Sequence, residues 1–113
     1  MKDVRIDMAE SDSQIMDCFA VLCELRPHLD SDSFLGQFRE LQRTDRYQLG
    51  FVTLLSNEKP QVVAVAGFCI QNNLSFGRHL LLQDFVTASP HRSQGYGGVL
   101  LEWGQVVCIA TRV

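Results

Sequence analysis

Arg92, Gly95, Gly97 and Gly98 stand close together in the stretch Arg92-Ser93-Gln94-Gly95-Tyr96-Gly97-Gly98, between an apolar run and a second apolar-rich segment. Glycines let a ligand approach the backbone closely. Where such a loop opens a helix, the first-turn N–H groups have no intrahelical partner and lie at the positive end of the helix dipole. That arrangement receives an anion, best a phosphate or pyrophosphate, and Arg92 can add a charge-assisted contact. Two familiar phosphate motifs do not fit. Gly95-Tyr96-Gly97 is followed by Gly98 and Val99, not by G-x-x-G spacing, and no Gly-Lys-Ser/Thr is present. A plain glycine turn between strand and helix is the bland alternative.

The elements around the loop must hold it in place. Leu80, Leu81, Leu82, Phe85 and Val86 suit a strand buried on both faces. Ser89-Pro90 ends it, because proline has no N–H for the ladder and biases the residue before it. After the loop, Val99, Leu100, Trp103, Val106, Val107 and Ala110 fit a helix, whereas Val106, Val107, Ile109, Thr111 and Val113 also fit a strand. A helix to about residue 110 is expected, weakened at Gly104.

Upstream, Val4, Ile6 and Met8 alternate with Arg5 and Asp7 as in a half-buried strand. Ser11 and Gln14 have capping-box spacing, and Ile15, Phe19 and Leu22, with Met16 and Cys23, predict a helix that Pro27 stops. The Asp- and Ser-rich connection 28–33 can cap a second helix, with Phe34, Phe38 and Leu41 inward and Arg39, Glu40, Gln42 and Arg43 in water. Residues 48–55 and 61–71 read as strands joined by the turn Ser56-Asn57-Glu58-Lys59-Pro60. They should pair as an antiparallel hairpin, and a second turn over 72–78 continues the meander. The order is β-α-α-β-β-β-α.

A chain of 113 residues, 46% hydrophobic and 20% charged, suits one globular domain over 1–113. Its net charge of −3 gives no general basic footprint for nucleic acid. The N-terminal segment lacks the apolar core of a signal peptide, and no apolar run could span a bilayer. A cytoplasmic location without membrane attachment is therefore expected. Cys18, Cys23, Cys69 and Cys108 have no CxxC spacing and read as reduced, packed thiols. His28, His79 and His91 lack metal-ligand spacing, so no metal site is expected.

The segment Arg92-x-x-Gly95-x-Gly97, with its preceding strand, Pro90 and the following Leu100-Leu101, resembles the coenzyme A pyrophosphate loop of the GNAT superfamily of N-acetyltransferases. Arg26-Pro27-His28-Leu29, the strand from Val63 to Phe68, Gly77-Arg78-His79-Leu80 and Asp84-Phe85-Val86-Thr87 resemble stretches of one bacterial branch of small GNAT enzymes, so the likeness covers nearly the whole chain. It implies an α/β fold of α+β type, with a mixed, mostly antiparallel sheet flanked by helices. It also implies acetyl-CoA as cosubstrate and a primary amine, on a small molecule or peptide, as acceptor.

By the same resemblance, backbone N–H groups of Phe85, Val86 and Thr87 would hold the thioester carbonyl and pantetheine amides. Those of Gln94, Gly95, Tyr96, Gly97 and Gly98 would hold the pyrophosphate, with Arg92 and Ser93 in the same loop. Asp84 is the candidate base or amine-orienting carboxylate; alternatively, Arg78 or His79 satisfies it as a strand-end carboxylate. Tyr96 is expected to pack, and Cys108 has no histidine partner to make it a nucleophile.

A typical member continues past this helix with a strand, a helix and usually two more strands. That portion walls the pantetheine arm and often carries a tyrosine proposed to protonate the thiolate. The departure at Val113 leads to two expectations. One is an N-acetyltransferase, active alone or in a homodimer that completes the site. The other is a catalytically silent GNAT-like module that binds coenzyme A or a partner. An open apolar edge on the strand around Leu80–Val86 favours pairing with a second copy.

Overall fold

The computed structural model describes residues 3–55, 59–75 and 77–110, with backbone alone for 106–110. Its elements are β1 (Val4–Met8), α1 (Asp12–Leu25), α2 (Ser31–Asp45), β2 (Gln48–Leu54), β3 (Gln61–Asn73), β4 (Gly77–Thr87), a 3-10 turn (Ser89–His91) and α3 (Tyr96–Ala110). This is the element order expected from the sequence. The backbone over 104–110 is helical, so the apolar periodicity outweighs the β-branched residues there. Ser56, Asn57 and Glu58 of the expected hairpin turn, together with Thr111 and Val113, lie outside the described residues.

The strands form one sheet in the order β1-β2-β3-β4, and each neighbouring pair is antiparallel. Helices α1 and α2 cover one face, where Ile15, Cys18, Leu22 and Phe38 pack on Leu49, Phe51, Val65 and Val86. Helix α3 covers the other, where Tyr96 and Leu100 pack with Val52, Val63 and Phe68. Strand β3 lies between β2 and β4, and its residues 63–69 are buried without a break.

The local signals explain where α1 starts and stops. Ser11 Oγ accepts from the Gln14 N–H at 3.1 Å, while Gln14 Oε1 accepts from the Ser11 N–H at 3.1 Å. The capping box therefore forms as the spacing predicted. The helix closes at Arg26, whose N–H donates to the Leu22 carbonyl, one residue before Pro27. Its buried stripe is Ile15, Cys18, Val21 and Leu22; Phe19, Met16 and Cys23 are only half-buried at the margins. On α2, Phe34 and Phe38 are buried but Leu41 is 43% exposed, which corrects its expected place in the core.

Strand β4 differs from expectation in a way that matters. A strand buried on both faces was predicted, yet Leu81 and Leu82 are 39% and 38% exposed. The physical reason is position: β4 is the outermost strand, with β3 on one side. The second turn is also tighter than expected, since β3 runs to Asn73 and β4 begins at Gly77.

The β3–β4 ladder carries a bulge. Gly67 pairs with Asp84 but Phe68 pairs with Leu82, so Gln83 is the extra residue on β4. A bulge resets the alternation of faces. Asp84 and Val86 therefore face α1 and α2, while Leu80 and Leu82 join the α3 side.

Candidate active site

Asp84 is the centre of a polar cluster built from three separate elements. Tyr47 Oη donates to Asp84 Oδ2 at 2.6 Å, and Arg26 Nε donates to Asp84 Oδ1 at 2.9 Å. Arg26 Nη2 also lies 3.5 Å from the carbonyl of Gln83, the bulge residue. The carboxylate thus has a partner, as the bland reading held, but the partners are Arg26 and Tyr47. Of the neighbours expected from the sequence, His79 has its Nδ1 3.1 Å from the Gly77 carbonyl.

Each partner arrives for a local reason. Arg26 is the residue at which α1 ends, so Pro27 places it at the helix C-terminus beside β4. Tyr47 follows the α2 cap residue Arg46, whose left-handed φ of 56° reverses the chain towards the sheet. The Tyr47 ring then lies over Gly67: a Cβ at that glycine would stand 1.7 Å from Tyr47 Oη. A glycine inside a strand marks a close approach of this kind, so Gly67 was the sequence signal for a site residue that sequence reasoning missed.

Burial is the main reason the Tyr47 phenol is pushed well above its ordinary 10.0, and the hydrogen bond to Asp84 and its charge act the same way. Burial, with Asp17 adding, pushes the Cys18 thiol up from 9.0 to about 12. Both groups hold their protons more tightly in the folded chain. The stability they contribute is complete below their unfolded values and is lost as pH rises through the folded ones. Urea midpoints should therefore stay level to about pH 9 and fall by pH 11, with Tyr47→Phe removing part of the fall. A midpoint that increased over that interval would contradict this account.

A pocket of about 320 Å³ opens beside the cluster. Leu22, Leu29, Phe34, Phe38 and Leu41 supply its apolar wall, Asp84, Tyr47 and Arg26 one polar end, and His28, Gln37 and Gln83 further polar lining. The exposed Leu41 stands on this wall.

The glycine loop follows the C-terminal end of the same strand, a short way past Asp84. Ala88 N–H donates to the Val63 carbonyl at 2.8 Å. Alternation along an antiparallel ladder then turns Val86 towards its partner Val65, and turns the N–H groups of Phe85 and Thr87 to the open edge. Of the three residues implied to hold a pantetheine arm, Phe85 and Thr87 thus present donors outward, whereas the Val86 N–H faces the sheet.

Ser93, with φ 66°, and Gly95, with φ 88°, wind the backbone into α3. Left-handed backbone is ordinary for Gly95 and strained for Ser93. Val99 N–H donates to the Gly95 carbonyl at 3.2 Å, so Gly95 caps the helix. The N–H groups of Tyr96, Gly97 and Gly98 precede the first intrahelical donor. A Cβ built at Gly95 or Gly98 meets nothing within 4 Å, which leaves open space at the loop surface. The Tyr96 side chain is buried, with its ring edge-on to His91 at 6.3 Å, so it packs as expected.

Arg92 is braced rather than loose. Its Nε donates to the Thr87 carbonyl at 3.0 Å and its Nη2 lies 3.4 Å from Glu24 Oε1. The same Glu24 oxygen accepts from the Ser89 N–H at 3.0 Å and from Ser89 Oγ at 2.5 Å. The Ser89 hydroxyl is the largest influence holding Glu24 below its ordinary carboxylate value. Glu24 and Arg26, both near the end of α1, therefore tie that helix to the loop and to Asp84. Glu24 carried no recognisable motif in the sequence. Its role depends on the β4–α3 connection folding back against α1.

The donors of the helix start, the open space at Gly95 and Gly98 and the Arg92 guanidinium fit an anionic pyrophosphate. The outward N–H groups on β4 suit the amides of an extended arm. A carboxylate-bearing pocket and a glycine loop at a helix start are joined by one edge strand. The chain belongs to the acetyltransferase (GNAT) family, whose sequence model matches residues 14–110.

Among relatives, the chain is 26% identical over 100 residues to the uncharacterized N-acetyltransferase YhdJ of Bacillus subtilis (strain 168), covering 88% of this chain and 68% of that protein. Its fold is similar to glucosamine-6-phosphate N-acetyltransferase from Arabidopsis thaliana, with TM-score 0.72, 16% identity and coverage of 96% and 76% of the two chains. It is also similar to aminoglycoside acetyltransferase AAC(6')-Iy in complex with a CoA-containing bisubstrate analogue, with TM-score 0.70, 14% identity and coverage of 93% and 71%. Among the described residues no helix is long and apolar enough to cross a membrane.

Proposed function

We propose that this chain binds acetyl-CoA along β4 and the β4–α3 loop and transfers the acetyl group to a primary amine held beside Asp84. The observation that carries the reading is the placement on one edge strand of both parts. The anion-receiving helix start follows the end of β4, and Asp84 sits at the bulge next to the outward-facing Phe85 N–H.

Acetyl-CoA, when bound, supplies an acetyl group activated as a thioester. The chain's own groups do the rest. Phe85 and Thr87 N–H groups orient the arm, and the Phe85 N–H lies where a donor can meet developing negative charge on the carbonyl oxygen. Arg92 and the Tyr96–Gly98 N–H groups hold the pyrophosphate. Asp84 accepts from the amine and directs its lone pair towards the carbonyl carbon. The amine nitrogen forms the new C–N bond as the C–S bond breaks. The sulfur keeps that electron pair and the nitrogen's surplus proton ends on it, giving an amide and a thiol.

Mass spectrometry of an amine mixture incubated with chain and acetyl-CoA tests the reading. An amine gaining an acetyl group in step with thiol release supports it, and acetyl-CoA consumption no faster than in buffer opposes it. Arg92→Ala is expected to weaken coenzyme A binding by roughly tenfold, the scale of one hydrogen bond to a charged group, with the urea midpoint nearly unchanged because the guanidinium is 57% exposed. An unchanged affinity would remove Arg92 from the site. A homodimer is part of the same proposal, supported by the exposed Leu81 and Leu82 on the outermost strand. Light scattering on the eluting peak should give twice the 12.7 kDa chain mass, and a clean monomer would end that part.

A further inference from the structure

We infer that the acceptor is a small primary monoamine with an uncharged, apolar body, seated in the pocket between α1, α2 and the bulge of β4. The inference rests on the acetyl-transfer reading above and narrows it to one chemical class.

Three features of the pocket point the same way. Its wall is apolar over Leu22, Leu29, Phe34, Phe38 and Leu41; His28, Gln37 and Gln83 also line it, and Asp84 is the one carboxylate there. That carboxylate is already matched by the Arg26 guanidinium at 2.9 Å. A polyamine or an amino sugar with several ammonium groups would bring charges that no second carboxylate here matches, and an unmatched desolvated charge is costly. A single amine needs only one polar anchor.

That anchor remains available. An ionised carboxylate has about four acceptor positions, of which Tyr47 and Arg26 take one each. The Tyr47 proton is directed to Asp84, so its oxygen has only acceptor capacity left. Asp84 and Tyr47 together can therefore receive both N–H bonds of a neutral amine, the nucleophilic form.

Size gives the third argument. A volume of about 320 Å³ is near the lower end of ligand sites, roughly 300–1,000 Å³. It is roughly twice a cavity of about 150 Å³ that takes benzene. One ring, or a branched chain of similar bulk, fits with the amine on a short arm. Leu41, exposed at 43% on the pocket wall it shares with Phe34 and Phe38, would be covered by such a body.

The test begins with calorimetric titration of acetyl-CoA into the full chain. Initial rates of thiol release follow on the same sample with phenethylamine, phenylalanine and spermidine. Phenethylamine should exceed each of the others in kcat/KM by roughly a hundredfold, because one unpaired charge in an apolar site costs several kcal/mol. Leu41→Asp, at an exposed position, should raise KM for phenethylamine by roughly tenfold, the value of one leucine contact.

Spermidine as the preferred amine would overturn the inference, and so would phenylalanine, which would show Arg26 reading a carboxylate. Acetyl-CoA binding with no transfer to phenethylamine would overturn the inference alone. Absence of acetyl-CoA binding would instead remove the reading on which it rests.

Discussion

Gly67→Ala is expected to destabilise the chain by about 3 kcal/mol, more than any other single methyl group added to the sheet. A Cβ there would stand 1.7 Å from Tyr47 Oη and 2.5 Å from the ring carbon bearing it. The ring has little freedom to move aside, because it is buried and lies edge-on to Phe38 at 5.9 Å. Displacing it also breaks the hydrogen bond to Asp84, whose side chain is only 17% exposed. The two costs combine: overpacking, typically about 1–3 kcal/mol, and a polar group left without its partner, about 1–3 kcal/mol. Urea denaturation measures the sum. In a Tyr47→Ala background the same substitution should cost under about 1 kcal/mol, since the obstructing ring is gone. A loss below about 1 kcal/mol in the wild-type background would mean that the ring does not rest on β3.

Asp84→Asn should lower kcat by at least about a hundredfold, the lower range for removing a positioned acid–base group. Asparagine keeps the shape and one carbonyl acceptor. It loses the negative charge, and with it the ion pair to Arg26 and the strong acceptor for the amine. Coenzyme A affinity should hold, because the Arg92 loop and the outward N–H groups of β4 do not involve the Asp84 side chain. Single-turnover kinetics with saturating acetyl-CoA, combined with calorimetry, separate the two quantities. An Asp84→Asn chain that kept its turnover would demote the carboxylate to a structural partner of Arg26. Loss of coenzyme A binding in that variant would show that the cluster supports β4 rather than the acceptor.

The parts of this account legible in the sequence were those written in local chemistry. The capping box at Ser11 and Gln14, the stop at Pro27 and the glycine loop opening α3 each follow from a few adjacent residues. The β2-β3-β4 meander also emerged, because turns between short apolar runs leave few ways to pair, whereas the pairing of β1 with β2 across two helices did not. The location of the glycine loop was local for the same reason.

The Asp84 cluster was not local. Arg26, Tyr47 and Asp84 come from the end of α1, the turn after α2 and the bulge of β4, and only tertiary packing brings them within 3 Å. Arg78 and His79 looked nearer on the chain, but the bulge at Gln83 turns Asp84 away from the face of Arg78, and His79, on Asp84's own face, is held apart from it by the length of extended strand between them. Gly67, alone in a run of buried residues, was the visible trace of this arrangement. The exposed faces of Leu81 and Leu82 were invisible for a different reason. Apolar composition reports what a strand prefers to bury, and an outermost strand has a neighbour on only one side.

The central claim is that the β4–α3 connection is a working acetyl-CoA site, and calorimetric titration of the 113-residue chain with acetyl-CoA tests it most directly. Saturable binding at one site per chain, with a dissociation constant on the order of micromolar that weakens in Arg92→Ala, is the expected result. A folded chain that takes up no heat of binding at millimolar acetyl-CoA would contradict it, and the loop would then be a strand-to-helix turn without a ligand.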